Sequence, residues 1–375
     1  MKVFFNALIV HLVFNVYVFL RGRQILPPKR SFRIPYTALF VLELIIYMIG
    51  LIGNVNLPHE ILKPILLIGT SWMVFIGYLA ALLLVFDAIR FLGRWSKRIK
   101  GWQMSRMSLR RPYFIISFLI VISAMCYGNY RFFHPVVNEY TLQVNKKANG
   151  LDSLRVVMVA DVHTGYLIDR GILKMYVDRI MEQKPDIILL VGDIIDYDLP
   201  PLVEQQMDKE FRRLTAPYGV YVSTGNHEYR LNSEEKLAWL GEQTGMTLLR
   251  DKVIKIADKF YLVGREDDHA PERKKLAEVI AGIDKSLPVI VMNHEPKDLS
   301  EEAQQKADVA VYGHTHNGQL FPYNILINWI YEVGHGYKKK DNTHIYVTSG
   351  LGLAGPQYRI GTISEIVVLN LKFQK

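Results

Sequence analysis

Long apolar runs fill the first third of the chain, and short apolar runs separated by polar, helix-patterned segments fill the rest. A membrane-crossing helix needs about 20 apolar residues, and four runs are of that order: Val3 to Leu20, Pro35 to Gly53, Pro64 to Phe86 and Pro112 to Gly128. The first contains Asn6, His11 and Asn15 and is followed by Arg21-Gly22-Arg23 instead of a small-residue cleavage site. It therefore reads as a retained span and not a signal peptide. Glu43 is an acid in mid-span, and with only Lys63 near a span end as a basic candidate it is expected to be protonated and to face other helices. No polar pattern repeats among the spans, which favours an anchor over a transporter.

Beyond them the period changes. Strands are predicted at Arg155 to Ala160, Asp186 to Val191, Gly219 to Thr224, Tyr261 to Gly264, Val289 to Met292, Val309 to Tyr312, His344 to Thr348 and Ile366 to Leu371. Helices are predicted at Arg170 to Gln183, Pro201 to Leu214, Ser233 to Thr244, Ala270 to Gly282 and Lys297 to Lys306. Such alternation belongs to a layered α/β domain. The division expected is 1–130 for a four-helix transmembrane anchor, 131–153 for a connector and 154–375 for the catalytic domain.

Charge follows the same division. The chain has 45 Lys+Arg and 36 Asp+Glu, net +9; residues 1–130 hold 15 and three of these, net +12, which leaves 30 and 33, net −3, for 131–375. Nucleic-acid binders carry a basic face on the binding domain, so a nucleic-acid partner is disfavoured. Basic loops stay on the cytoplasmic side. Residues 21–34 contain five basic residues and no acid, and residues 89–111 contain eight and no acid, whereas 54–60 contain neither Lys nor Arg. Both basic loops are expected inside, and the part after Tyr130 extracytoplasmic. Cys126 is the sole cysteine, so neither a disulfide framework nor a thiolate metal site is available within one chain.

The chemistry stands just after the strands. Asp161 and His163 follow the first, Gly192-Asp193 with Asp196 the second, and Gly225-Asn226-His227-Glu228 the third; His294 follows the fifth and Gly313-His314-Thr315-His316 the sixth. Each piece alone is commonplace. Together they present imidazole, carboxylate and carboxamide at what would be one sheet edge, a donor set suited to Mn, Fe or Zn.

This order resembles the calcineurin-like metallophosphoesterases over about residues 154 to 371, and Ser349-Gly350-Leu351-Gly352 through Arg359, with Gly313 to Gln319, is similar to the membrane-associated bacterial branch that carries N-terminal spans. The resemblance implies two mixed β-sheets packed face to face and flanked by helices. It implies two divalent or trivalent metal ions bridged by Asp193, with Asp161, His163 and His316 completing one site and Asn226, His294 and His314 the other. His227 matches the family's non-ligand histidine near the leaving group, and Asp196 the acid that orients it. Two positions depart from the pattern: Asn317 stands where glycine is common, and Ala160 where serine or threonine is common.

Two cations about 3.5–4 Å apart neutralise phosphoryl oxygens and lower the pKa of a shared water. A metal-bridging hydroxide is the expected nucleophile, with His227 as general acid and Arg359 as a candidate phosphate clamp. The substrate class is a phosphodiester, pyrophosphate or phosphomonoester, with the bilayer as partner and a lipid-linked phosphate favoured. A soluble nucleotide or nucleic-acid phosphodiesterase and a non-catalytic membrane receptor are the alternatives. Leu320 to Trp329, followed by Lys338-Lys339-Lys340, could form a lip at the lipid headgroups, although packing against the sheet is favoured for these side chains.

Overall fold

The computed structural model describes residues 2–52, 57–93 and 107–375. The chain divides between Gly128 and Asn129 into two compact units. In the first lie α1 (Lys2–Ile25), α2 (Arg30–Ile52), α3 (His59–Gly93) and most of α4 (Met107–Phe133). All four are long and apolar enough to cross a membrane. α2, α3 and α4 each begin five residues before the proline taken as the start of a run, so Pro35, Pro64 and Pro112 lie inside their helices. Of the loops used for orientation, residues 53–56 and 94–106 lie outside the described residues.

Glu43 faces another helix, as expected, but its partner is a histidine and not Lys63. Its carboxyl group lies 3.1 Å from His11 Nε2, the His11 ring stacks on Tyr47 at 3.8 Å, and Asn15, which donates to the His11 carbonyl, accepts from Trp72 Nε1 at 2.9 Å. The polar residues of the first run thus supply the acid's partner. The pairing crosses from one helix to another, so linear inspection passed over it.

In the second unit two six-stranded sheets form. The first comprises β1 (Val136–Lys147), β2 (Ser153–Val159), β3 (Ile187–Val191), β4 (Val220–Ser223), β5 (Thr247–Leu248) and β12 (Glu365–Gln374), in the order β1-β12-β2-β3-β4-β5. The second comprises β6 (Lys252–Ile256), β7 (Phe260–Gly264), β8 (Val289–Met292), β9 (Val309–Tyr312), β10 (Gly336–Lys340) and β11 (Thr343–Val347), in the order β10-β11-β9-β8-β7-β6. Both are mixed: β2 to β5 run parallel with β12 antiparallel to β2, and β7, β8, β9 and β11 run parallel between antiparallel β6 and β10.

Strand periodicity sorts the core into layers. Val156, Met158, Leu189 and Val367 from the first sheet meet Leu262, Ile290, Met292 and Val311 from the second in one apolar cluster between the sheets. Their neighbours Val157, Val159, Ile188 and Val368 turn the other way, onto Leu173, Tyr176 and Val177 of α5 (Arg170–Met181). Val289, Val291, Ala310 and Tyr312 face a third cluster with Leu276 and Leu299. This is the face-to-face pair of mixed sheets flanked by helices that the family resemblance implies.

Three expectations need correction. The supposed connector contains β1, paired in parallel register with β12 along its length. Residues 201–214 form two short helices, α6 (Pro200–Glu204) and α7 (Asp208–Phe211), because Gln206 between them turns left-handed at φ 54°. After α8 (Ser233–Glu242), the span 270–282 keeps only α9 (Leu276–Val279). There Lys274 N donates to Asp251 and Lys274 O accepts from Arg265 at 2.7 Å, which removes both groups from helical bonding. α10 (Ser300–Gln304) falls where a helix is predicted; α11 (Tyr323–Ile330) falls within the apolar stretch left open above.

Candidate metal centre

Apolar strands end here because their last residues are buried, and the chain turns polar as soon as it leaves the sheet. Asp161, Asp193, Asn226, His294 and His314 each come within three residues of the carboxyl ends of β2, β3, β4, β8 and β9. The turns are tight: Asp161, His163, Asp193, His314 and His316 all adopt φ between 49° and 71°. Left-handed backbone costs a non-glycine residue roughly 1–2 kcal/mol, and such strain persists only where the surroundings enforce it. Here the loops hold one another. Asp161 N donates to Gly192 O, His163 N to Asp193 O, Gly313 N to His294 O and Gly352 N to Asp161 O, each at 2.9–3.0 Å. Gly192 and Gly313 permit the close approach: a Cβ on the first would lie 2.5 Å from the His294 ring, and one on the second 2.5 Å from Asp161 Oδ2.

Around Asp193 the donors crowd together. His294 Nε2 is 3.2 Å from Asp193 Oδ2, His163 Nε2 is 3.8 Å from it, and His227 Nε2 is 4.0 Å from it. Asp161 Oδ1 lies 3.4 Å from His316 Nε2 and 3.9 Å from both His163 Nε2 and His294 Nε2. His314 Nδ1 meets Asn226 Oδ1 at 2.9 Å. Among the described residues, Asp161-His163-His316 and Asp193-His294-His314 are groups whose ligand atoms lie within 4.8 Å of one another.

This arrangement fits metal cations. His163 Nε2 and His316 Nε2 face each other at 3.2 Å, and two lone pairs so placed repel unless a proton or a cation lies between them. His294 donates from Nδ1 to Val191 O at 2.8 Å, which leaves the Nε2 lone pair aimed at the carboxylates, buried and without a well-directed hydrogen bond. Burial, the neighbouring His163 and Arg359 hold His316 well below the usual imidazole range, so it is neutral and can donate a lone pair.

His227 and Asp196 stand together: His227 Nδ1 is 3.2 Å from Asp196 Oδ1 and also meets the Asp196 carbonyl. Asp196 is shared, since its Oδ1 also lies 3.3 Å from His163 Nδ1. Arg359 is a correction. It is 0% exposed, and its guanidinium donates to the carbonyls of His316 at 3.1 Å and Gly350 at 3.0 Å, to the Gly352 carbonyl and to Ser364 Oγ. Burial lowers its pKa to about 10, which leaves it charged at neutral pH. Three loop carbonyls occupy the fork that a phosphate would need, so the side chain positions the His316 loop.

Sequence reading gave Glu228 no role. Its buried carboxylate accepts from the backbone N–H groups of Asp193, Ile194, Ile195 and Gly225, at 2.8–3.0 Å. One side chain thus fixes the β3 and β4 loops together. The signal was its place in Gly225-Asn226-His227-Glu228, but a brace made through backbone donors leaves no pattern in the sequence. Asn317 keeps a left-handed turn at φ 47°, which asparagine tolerates better than most residues.

Residues 154–318 match the calcineurin-like phosphoesterase family. An uncharacterized metallophosphoesterase of Campylobacter jejuni is 33% identical over 59% of this chain and 60% of its own length, so the chain spans less than two thirds of that relative. A transmembrane protein with metallophosphoesterase domain from Danio rerio is 28% identical over 77% of this chain and 70% of its own. An uncharacterized metallophosphoesterase of Aquifex aeolicus is 29% identical over 63% of this chain and 91% of its own. With the paired sheets and the crowded donors around Asp193, the match identifies residues 154–318 as a calcineurin-like phosphoesterase domain.

Proposed function

We propose that this protein is a membrane-anchored, two-metal phosphoesterase acting at the extracytoplasmic face on a phosphate group held at or near the bilayer. The observation that carries the catalytic part is the convergence of carboxylate, imidazole and carboxamide donors about Asp193, set by left-handed turns that the fold must enforce. Asp161, His163, Asp193 and His316 would hold one cation, and Asp193, Asn226, His294 and His314 the other. When bound, such a pair neutralises phosphoryl oxygens and brings a water to reactive pKa.

The chain's own residues do the rest. Glu228 fixes the Asp193 and Asn226 loops, and Arg359 fixes the His316 loop. His227 is tied at Nδ1 to Asp196, which leaves Nε2 as the nitrogen that gives a proton to the leaving oxygen. Anchoring and orientation rest on α1 to α4 and on the basic loop at 21–34. Residues 131–375 are net −3, which argues against nucleic acid as substrate.

The test is metal analysis of the purified full chain, with hydrolysis of a bis-aryl phosphate, an aryl monophosphate and lipid phosphates. Metal-dependent turnover is expected, with lipid-presented substrate preferred. Stoichiometric metal without turnover of any ester would overturn the enzymatic reading, and cleavage confined to soluble nucleotides would overturn the substrate class. Protease protection of the second unit from the extracytoplasmic side would overturn the orientation.

A further inference from the structure

From Asn317 to Tyr331 the chain has no charged residue, and none of α11 is buried. Packing against the sheet, the favoured expectation, does not occur. Trp329 is 81% exposed, Tyr323 62%, Ile325 61% and Ile330 58%, with Phe321 and Leu326 also exposed. Helices in soluble domains hide such faces.

Both ends of this segment are fastened to the metal centre. Before it comes the His316–Gly318 turn, and Phe321 N donates to Ile360 O at 2.7 Å. After it, Tyr331 OH donates to Glu295 Oε1 at 3.1 Å with its ring beside His314, and Thr315 Oγ1 donates to Gly334 O at 2.6 Å. The helix therefore forms part of the rim of the site.

What covers this face can be argued from charge, area and composition. Glu332 accepts from Lys338 and Lys340, each at 2.9 Å, which brings Lys338 to Lys340 of edge strand β10 next to the helix C-terminus. Three lysines against that one acid leave the flank at net +2. An uncharged apolar helix bearing Trp and Tyr with a basic flank matches an interface of headgroups over hydrocarbon. The six exposed side chains offer on the order of 600 Å², short of the roughly 800 Å² per partner of a stable protein interface. Only His134 and Pro135 separate α4 from β1 in the chain, so a spanning α4 would start the second unit at a lipid surface.

We infer that α11 is an interfacial anchor that inserts its Tyr323, Ile325, Trp329 and Ile330 side chains into the bilayer surface and seats the mouth of the metal centre at headgroup level. The inference rests on the membrane-anchored reading above. It adds that substrate phosphate is taken in the plane of the headgroups and not from bulk water.

The experiment uses the full chain in lipid nanodiscs containing anionic phospholipid, with Cys126→Ser and one fluorophore-labelled cysteine at a time: Trp329→Cys, Ile325→Cys, Val85→Cys in α3, or Glu182→Cys beyond the end of α5. Nitroxide-bearing lipids are expected to quench at Trp329 and Ile325 several-fold more than at Glu182, with aqueous iodide giving the reverse order. Quenching at Val85 but not at Trp329 or Ile325 overturns the seat and leaves the anchor standing; lipid quenching at none of these positions overturns both. Labels at α11 shielded from lipid and iodide alike would mean that protein covers the helix, which also overturns the seat. Hydrolysis of aryl phosphate by the same samples reports on the phosphoesterase reading independently of the quenching.

Discussion

The strand-end loops and α11 belong to one unit and nearly touch in sequence, yet they are built on opposite terms. In the loops, charged and polar side chains are buried, and neighbouring loops supply their partners: Glu228 takes four backbone donors and Arg359 reaches three carbonyls. In α11, apolar side chains are exposed, and no residue of the helix is buried. A buried charge without partners is expensive, so each loop depends on the others. An exposed apolar face has little to lose within the fold, and its use must lie outside the chain.

Substitutions can break or sharpen this contrast. The largest effect is expected from Asp193→Asn, which weakens both proposed metal positions at once. Bound metal and hydrolysis should fall together by more than the 10–100-fold typical of an outer-shell change, as read by metal analysis and bis-aryl phosphate turnover. Next, His227→Ala should keep its metal while losing about 10²–10⁴ in turnover of alkyl esters and much less with aryl esters, whose leaving groups need no proton. Full activity on an alkyl diester would refute the general-acid role.

Glu228→Gln replaces one of the brace's acceptor oxygens with a donor facing backbone N–H groups. A 10–100-fold loss of metal affinity is expected, measured by titration with a competing chelator; unchanged affinity would show that the ligand loops stand without it. Arg359→Lys puts three donors on one atom against four acceptors spread around a planar fork. Stability should fall by about 1–3 kcal/mol through unsatisfied buried groups, seen as a lower Tm, with KM for aryl phosphate unaffected. A raised KM at unchanged Tm would restore the phosphate-clamp expectation.

Smallest of all, Trp329→Ser should change stability by less than about 0.5 kcal/mol, the usual range for exposed positions, and leave soluble aryl phosphate turnover intact. A large drop in Tm would mean that α11 is part of the core after all and would erase the contrast.

Legibility differed in the same way. Strands β2, β3, β8 and β9 could be read directly because they are buried on both faces and so nearly all apolar. β6 and β10 escaped because edge strands carry lysines that blur the pattern. β1 escaped because its exposed face made it resemble a linker. The candidate ligands were visible because pieces that are commonplace singly follow five strands in one order. The partners of Glu43, the brace at Glu228 and the burial of Arg359 were not, since each depends on backbone or on residues tens of positions away.

By itself, the sequence determined four apolar helices, a layered α/β domain and the residues that follow its strands, because hydrophobic periodicity and ligand chemistry are local properties; the pairing of two sheets was implied only by the family resemblance. Only the tertiary structure decided which charges are paired, which arginine faces inward and which apolar helix stays uncovered. Those outcomes are set by desolvation and by who lies opposite whom, and no single stretch of chain contains that information.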